Sequence, residues 1–352
     1  SLLINEDPDS DLDPTFGVDD GEGYLDGDKR WRFIGTYRIY GQWKQRILAG
    51  IDALSAAWVA TGDVEYARRA ASLIDRVADV YPEFDFARQG LVYEKPPRSG
   101  YVSNWHDACA ETRLLVEAYD RIRPAIDDAG LIAYLRDRAA RHGLPNPKDS
   151  AAAIQENIET RILRDVLAHR GKIWSNFPHE EQTCLYIEMV LGWPRERERL
   201  LGMLDAIIVL ATSVDGVTGE KGLKGYATIG PRALMVILGH FDRIDPALFK
   251  DILRRHPRIR DHYRFHIDTR CLDGFYPQEG DGGGFGQDRT EYFDLIFNKK
   301  GALEPGLDPG PYNLLVRLFL ETGDPAFAQV LYRGNARSVK DLPHDLFAHD
   351  PD

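Results

Sequence analysis

The sequence predicts an all-α fold of antiparallel helix pairs, and three observations predict it. From Trp31 to about Tyr332, apolar residues recur three or four positions apart. Breaks in that pattern fall at glycine or proline: Pro124, Gly143-Leu-Pro, Gly192-Trp-Pro, Gly239, Pro257, Gly301 and Gly323-Asp-Pro. Strand signals are scarce, with neither a βαβ alternation nor a run of alternating β-branched residues.

The elements follow in order. Residues 1–30 read as an irregular acidic N-terminal arm; residues 6–28 hold ten acidic side chains and no basic one. Asp7-x-Asp9-x-Asp11 resembles the start of a calcium loop. Leu12 stands where that loop requires glycine, and Val18 where it requires its closing Glu, so no EF-hand is expected. The first helix spans 42–61, with Ile47, Leu48, Ile51, Leu54 and Trp58 on one stripe, and Gly62-Asp63 stops it. A second over 64–80 turns Ala67, Ala70, Ala71, Ile74, Val77 and Ala78 inward. Further helices are expected over 104–123, 127–142, 150–169, 178–191, 195–213, 228–241, 246–255, 288–298, 311–322 and 325–333. One joint occurs twice, as Ala60-Thr-Gly-Asp-Val-Glu-Tyr-Ala67 and Glu321-Thr-Gly-Asp-Pro-Ala-Phe-Ala328. In each, a helix ends at Thr-Gly and Asp caps the next. Its recurrence suggests helix pairs arrayed in a ring or arc.

Bulk properties exclude several functions. A chain of 352 residues, 43% hydrophobic and 28% charged, has the composition of a globular protein of one large or two ordinary domains. No segment approaches the roughly 18 apolar residues of a membrane span. The net charge of −12 argues against broad nucleic-acid binding. Cys109, Cys184 and Cys271 lie far apart, form no CxxC pair and read as small buried hydrophobes. No cofactor is implied. Since the chain opens on Ser1, the lack of a visible leader is uninformative.

Against the acidic background, the run Arg254 to Arg270 holds six arginines. It reads as a solvated helix face or as one wall of a groove for a polyanion. Four segments carry candidate chemistry. Lys172-Ile-Trp-Ser-Asn176-Phe-Pro178-His179 places Asn176 and His179 at a helix start, where the dipole favours anions. Asp215-Gly-Val-Thr-Gly-Glu220-Lys221-Gly-Leu-Lys224-Gly-Tyr226 is a charged Gly-rich loop ending on a tyrosine, with Arg232 just beyond. Leu272 to Gly286 is a glycine loop flanked by Phe275, Tyr276 and Phe285 and holding Glu279 and Asp281. It has no preceding strand and no following Lys-Ser/Thr, so it reads as a carbohydrate-facing loop rather than a phosphate loop. Trp105 and His106 open a helix, and Trp105 is a candidate sugar platform or a core residue.

Taken together, these pieces resemble the heparinase II/III-like polysaccharide lyases, in their N-terminal incomplete (α/α) toroid. The segments that carry the resemblance are Asp19-Asp-Gly-Glu-Gly with Trp31-Arg-Phe-Ile; Thr61-Gly-Asp-Val-Glu-Tyr-Ala with Asp75-Arg-Val-Ala-Asp-Val-Tyr-Pro; Ala118-Tyr-Asp; Asn176; Asp215-Gly…Glu220…Tyr226; and Tyr276-Pro-Gln-Glu-Gly-Asp. The resemblance implies a toroid, or (α/α) barrel, over 31–335 and a tail or linker over 336–352. It also implies a partner β-sandwich region or second chain, and a periplasmic or secreted location.

Such lyases cleave uronic-acid polysaccharides by β-elimination. Donors neutralise the uronate carboxylate, a base takes the C5 proton, and an acid protonates the leaving oxygen. The resemblance casts Tyr226 as base or acid, with Asn176 and His179 on the carboxylate or assisting proton transfer. Lys221, Lys224 or a protonated His179 would favour the Tyr226 phenolate. Glu220, Lys221, Lys224, Arg232, Trp105, Tyr276 and Glu279 are the expected substrate contacts. The partner is an anionic polysaccharide or oligosaccharide, with no nucleic acid, membrane or metal. Two alternatives are a hydrolase using paired carboxylates such as Glu220, Glu279 and Asp281, and a non-catalytic glycan-binding module.

Overall fold

The computed structural model describes residues 24–26, 29–31, 35–89, 99–213, 216, 226–269, 309–334 and 337–340, of which 24–40, 88, 89, 226, 227, 309–311 and 334 are described in backbone only. The fold is all-α, as predicted. The chain forms two compact units, Ser1–Leu200 and Leu201–Asp352, so the stretch 31–335 expected as one domain is shared between them.

Unit 1 opens with two three-residue strands inside the arm expected to be irregular. β1 (Tyr24–Asp26) and β2 (Lys29–Trp31) pair antiparallel, Tyr24 opposite Trp31. A π-helical stretch, Gly35–Leu48, leads into α1 (Ala49–Thr61), so helix begins earlier than the apolar stripe indicates. Gly62, at φ 70°, ends α1, and its N–H donates to the Trp58 carbonyl at 2.8 Å. That left-handed conformation suits glycine. Asp63 caps α2 (Val64–Ala78) by accepting from the Glu65 N–H at 3.0 Å. All six residues expected inward on α2 are buried. Ile74 alone contributes about 2 kcal/mol by leaving water.

Beyond a 3-10 turn at Tyr81–Glu83 come α3 (Phe86–Gln89), α4 (Trp105–Ile122), α5 (Ala129–His142) and α6 (Ala151–Ile158). The helix expected over 150–169 widens to a π-helical stretch, Glu159–Arg164, before α7 (Asp165–Ala168). α8 spans His179–Gly192, and α9 (Arg197–Ala211) contains the division between the units. Contacts along the helices give their directions. Lys44 and Trp43 meet Asp107 and Glu111, while Asp52, Ser55 and Trp58 meet Arg121. Cys109 meets Thr183, and Arg123 meets Val190. Hence α1, α4 and α8 run parallel, α4 in the middle.

A buried ion cluster ties α2 to the start of α6. The Lys148 ammonium donates to Asp75 and, at 2.7 and 2.8 Å, to both Asp79 oxygens. The Asn157 amide donates to Asp75 Oδ1 at 2.8 Å and Asp79 Oδ1 at 3.1 Å.

In unit 2, α10 (Tyr226–Ile244), α11 (Pro246–Arg255), α13 (Pro309–Thr322) and α14 (Pro325–Gly334) follow the predicted spans closely. The helix expected over 288–298 and Cys271 lie outside the described residues, whereas Cys109 and Cys184 are buried as expected. α12 (Arg258–Asp268) occupies the basic run. Arg254, Arg255, Arg258, Arg260 and Arg264 of that run all have partners within the unit. The second Thr-Gly-Asp joint repeats the first: Gly323 is at φ 65°, and Asp324 accepts from the Ala326 N–H at 3.1 Å. Unlike exposed Asp63, Asp324 is buried and also binds Arg260 and Arg264 at 2.7–3.2 Å. Among the described residues no helix is long and apolar enough to cross a membrane, and no group of three or more potential ligands forms a metal site.

Candidate functional site

The parallel run of α4 and α8 brings their N-termini to one end of unit 1. Both helix dipoles point their positive ends the same way. The His106 and His179 rings face each other with centroids 6.2 Å apart.

The turn before α4 sets Trp105 and His106. Gly100 and Asn104 form an isolated bridge, and the Gly100 carbonyl accepts from the Phe86 N–H at 3.0 Å. Trp105 then takes φ 53°, a conformation bulky residues rarely adopt. Below the turn, the buried Glu111 carboxylate accepts from Ser103 Oγ at 2.6 Å and Trp43 Nε1 at 2.9 Å. Burial pushes its pKa up, and these two bonds and Lys44 oppose the rise. Lys44 pairs with Asp107 at 2.8 Å and lies 3.7 Å from Glu111 Oε1.

Gly100→Ala tests the turn. A Cβ there would land on the Ser103 carbonyl oxygen, 2.9 Å from Phe86 Cβ and 3.1 Å from Asn104 Cα. The expected cost is about 1–3 kcal/mol, read as a lower urea midpoint; an unchanged midpoint would show that the turn yields freely.

The segment before α8 sets Asn176 and His179. The Asn176 carbonyl accepts from the His179 N–H at 2.9 Å, and its side chain is exposed. Pro178, expected inside the first turn, stands just before it, after a cis peptide bond. Beneath His179, the Arg113 guanidinium donates to the His179 carbonyl at 3.1 Å and to Thr183 Oγ1 at 2.9 Å. His179 Nδ1 is buried and has no hydrogen-bond partner among the described residues. Burial, then the charge of Arg113, then His106 lower its pKa to about 4. His179 is therefore neutral at neutral pH, which corrects the expectation of a cationic His179 beside a phenolate. What it offers is a neutral imidazole whose buried Nδ1 has no partner among the described residues.

The other candidates divide as follows. Trp105 stands beside His106, so it and the Asn176–His179 segment share one end of unit 1. Tyr226 is the first residue of α10 in unit 2, and its side chain lies outside the described residues. So do Glu220, Lys221, Lys224, Tyr276, Glu279 and Asp281. Arg232 is exposed on α10. Arg113 went unread in the sequence, although it lies seven residues after His106, on the same face of α4. His262 and His266 were also missed; both are buried on α12, with pKa values lowered by burial to about 4 and about 3.

The chain was compared with protein families, curated proteins and solved structures, and matches none of them.

Proposed function

We propose that the chain is the helical part of a polysaccharide lyase that cleaves uronic-acid polymers by β-elimination. The observation that carries this reading is His179: neutral, with Nδ1 unpartnered, at the common end of two parallel helices. β-Elimination needs an unprotonated base next to groups that hold a carboxylate. The Asn176 amide is the donor proposed for the uronate carboxylate. The two helix N-termini add favourable potential for that anion.

In the proposed step a base removes the C5 proton. The C–H electrons form the C4–C5 double bond as the C4–O bond breaks, and an acid protonates the departing oxygen. His179 is the proposed proton acceptor, and Tyr226 is the acid or base implied by the resemblance. Trp105 is proposed as the stacking platform. The parallel order of α1, α4 and α8 accords with an (α/α) ring, in which alternate helices share a direction. A β-sandwich region or second chain remains part of the proposal, as does action in the periplasm or outside the cell.

The test is incubation with alginate, polygalacturonate, hyaluronan, chondroitin and heparan while following the absorbance of unsaturated uronate. The reading expects a rise with at least one polymer, and a loss of about 100-fold or more in Tyr226→Phe and in His179→Ala. The acid limb of kcat/KM should fall near pH 4 rather than near 6.5, because His179 is lowered to about 4. Flat absorbance on all five polymers, also with the β-sandwich region or second chain supplied, overturns the reading.

A further inference from the structure

The proposed acid or base Tyr226 begins α10, and α10 is weak where it begins. Pro231 lies inside the helix and supplies no N–H to the carbonyl four residues back. Two adjacent residues of α12 reach that region. The buried Tyr263 hydroxyl donates to the Pro231 carbonyl at 2.9 Å. One residue earlier, buried His262 bonds through Nδ1 to the Gly216 carbonyl. A carbonyl only accepts, so Nδ1 carries the proton in this bond.

The backbone at Gly216 is shaped for that approach. It has φ 89°, and a Cβ there would lie 3.0 Å from Asp261 C, Asp261 Cβ and His262 N. Gly216 thus presses directly on the backbone of α12, which only a residue without a side chain can do.

We propose that His262 and Tyr263 form a two-point clamp that holds Gly216 at one end and Pro231 at the other, and so position Tyr226 between them. The clamp deepens the lyase reading and rests on it only for its catalytic consequence. His262 acts through backbone and touches no substrate, so it is a positioning residue. Consecutive residues of a helix point about 100° apart, so one rigid element can grip two separate strands of chain. Loss of either grip frees one end.

The test compares His262→Leu, His262→Asn and Tyr263→Phe in the full chain. Asn places a side-chain N–H close to where Nδ1–H stands, and Leu does not. Amide hydrogen exchange is read on peptides spanning 214–235. The clamp expects exchange there to rise about tenfold in His262→Leu and in Tyr263→Phe, and to stay within about twofold of the parent in His262→Asn. In the lyase assay, His262→Leu should lower kcat with KM held, and His262→Asn should restore kcat.

Unchanged exchange in both His262→Leu and Tyr263→Phe overturns the clamp, as does His262→Asn exchanging as fast as His262→Leu. If His262→Leu does not fold, Tyr263→Phe alone decides, since it removes one hydroxyl. A chain inert on every uronate polymer that still shows the exchange pattern overturns the lyase reading and supports the clamp.

Discussion

Lowering the pH from 7 to 5 is expected to remove about 4 kcal/mol of stability through His262 and His266. Both side chains are buried. Burial lowers His262 to about 4; burial and then the neighbouring His262 lower His266 to about 3. In the unfolded chain each titrates near its ordinary value of about 6.5. The folded pKa values are depressed, so the unfolded state binds protons first. Their stability contribution is complete above about 6.5 and falls as pH drops toward 4, at about 1.4 kcal/mol per unit per histidine. At pH 5 each has lost about 2 kcal/mol. Burial raises the Asp324 carboxyl, but the Ala326 N–H, Arg260 and Arg264 together hold it below the ordinary carboxylate range. Urea unfolding at pH 7, 6 and 5 reads this loss together with that of His179, which is also lowered to about 4, and exchange in peptides covering 258–268 isolates the part in unit 2. A midpoint that does not move over that range would mean that the two rings accept protons in the folded state.

Lys148→Met should cost unit 1 about 3–5 kcal/mol, the usual loss when one partner of a buried ion cluster is removed. Lys148 is 2% exposed and Asp75 1% exposed. Burial pushes the Asp75 carboxyl up, and the Lys148 ammonium and the Asn157 amide pull against that rise. Without the ammonium, buried Asp75 keeps only the Asn157 amide, while half-buried Asp79 keeps that amide and Arg76 at 3.5 Å. Lys148 also takes φ 52°, an uncommon conformation for a side chain of its size, so the cluster holds the backbone against its preference. The midpoint of urea unfolding, followed by helix content, reads the cost. Adding Asp75→Asn to Lys148→Met should recover part of it, because a neutral amide replaces the stranded carboxylate. Equal stability of parent and Lys148→Met would show that water reaches the cluster.

The helices were legible where one stripe of side chains decides them. On α2 the inward alanines, Ile74 and Val77 sit where spacing alone places them. Both Thr-Gly-Asp joints were legible because a left-handed glycine and a capping Asp are local devices. α12 was obscured by its chemistry. Its buried stripe is Ile259, His262, Tyr263 and His266, a proper helical spacing in which two members count as polar. The strands β1 and β2 are too short to show an alternating pattern.

The site was legible as residue types and not as states. Proline and capping logic placed Asn176 and His179 at a helix start. That His179 is neutral depends on burial and on Arg113, which is 66 positions away in sequence. The Lys148–Asp75 pair, 73 positions apart, is equally invisible to any local pattern. In the basic run, charge suggested a solvated helix face or a groove wall, and long-range pairing with Asp205 and Asp324 accounts for much of it.

The parallel packing of α1, α4 and α8 has a kinetic consequence. Antiparallel neighbours can zip from the turn that joins them, but parallel neighbours share no turn. The contacts that join α4 to α1 and α8 span 63 to 74 positions. Each requires a long loop to close before any contact rewards it. Individual helices of unit 1 can flicker into place within microseconds. Their lateral assembly must wait for the intervening chain to find its course, so this helical unit should fold with the sluggishness of a sheet.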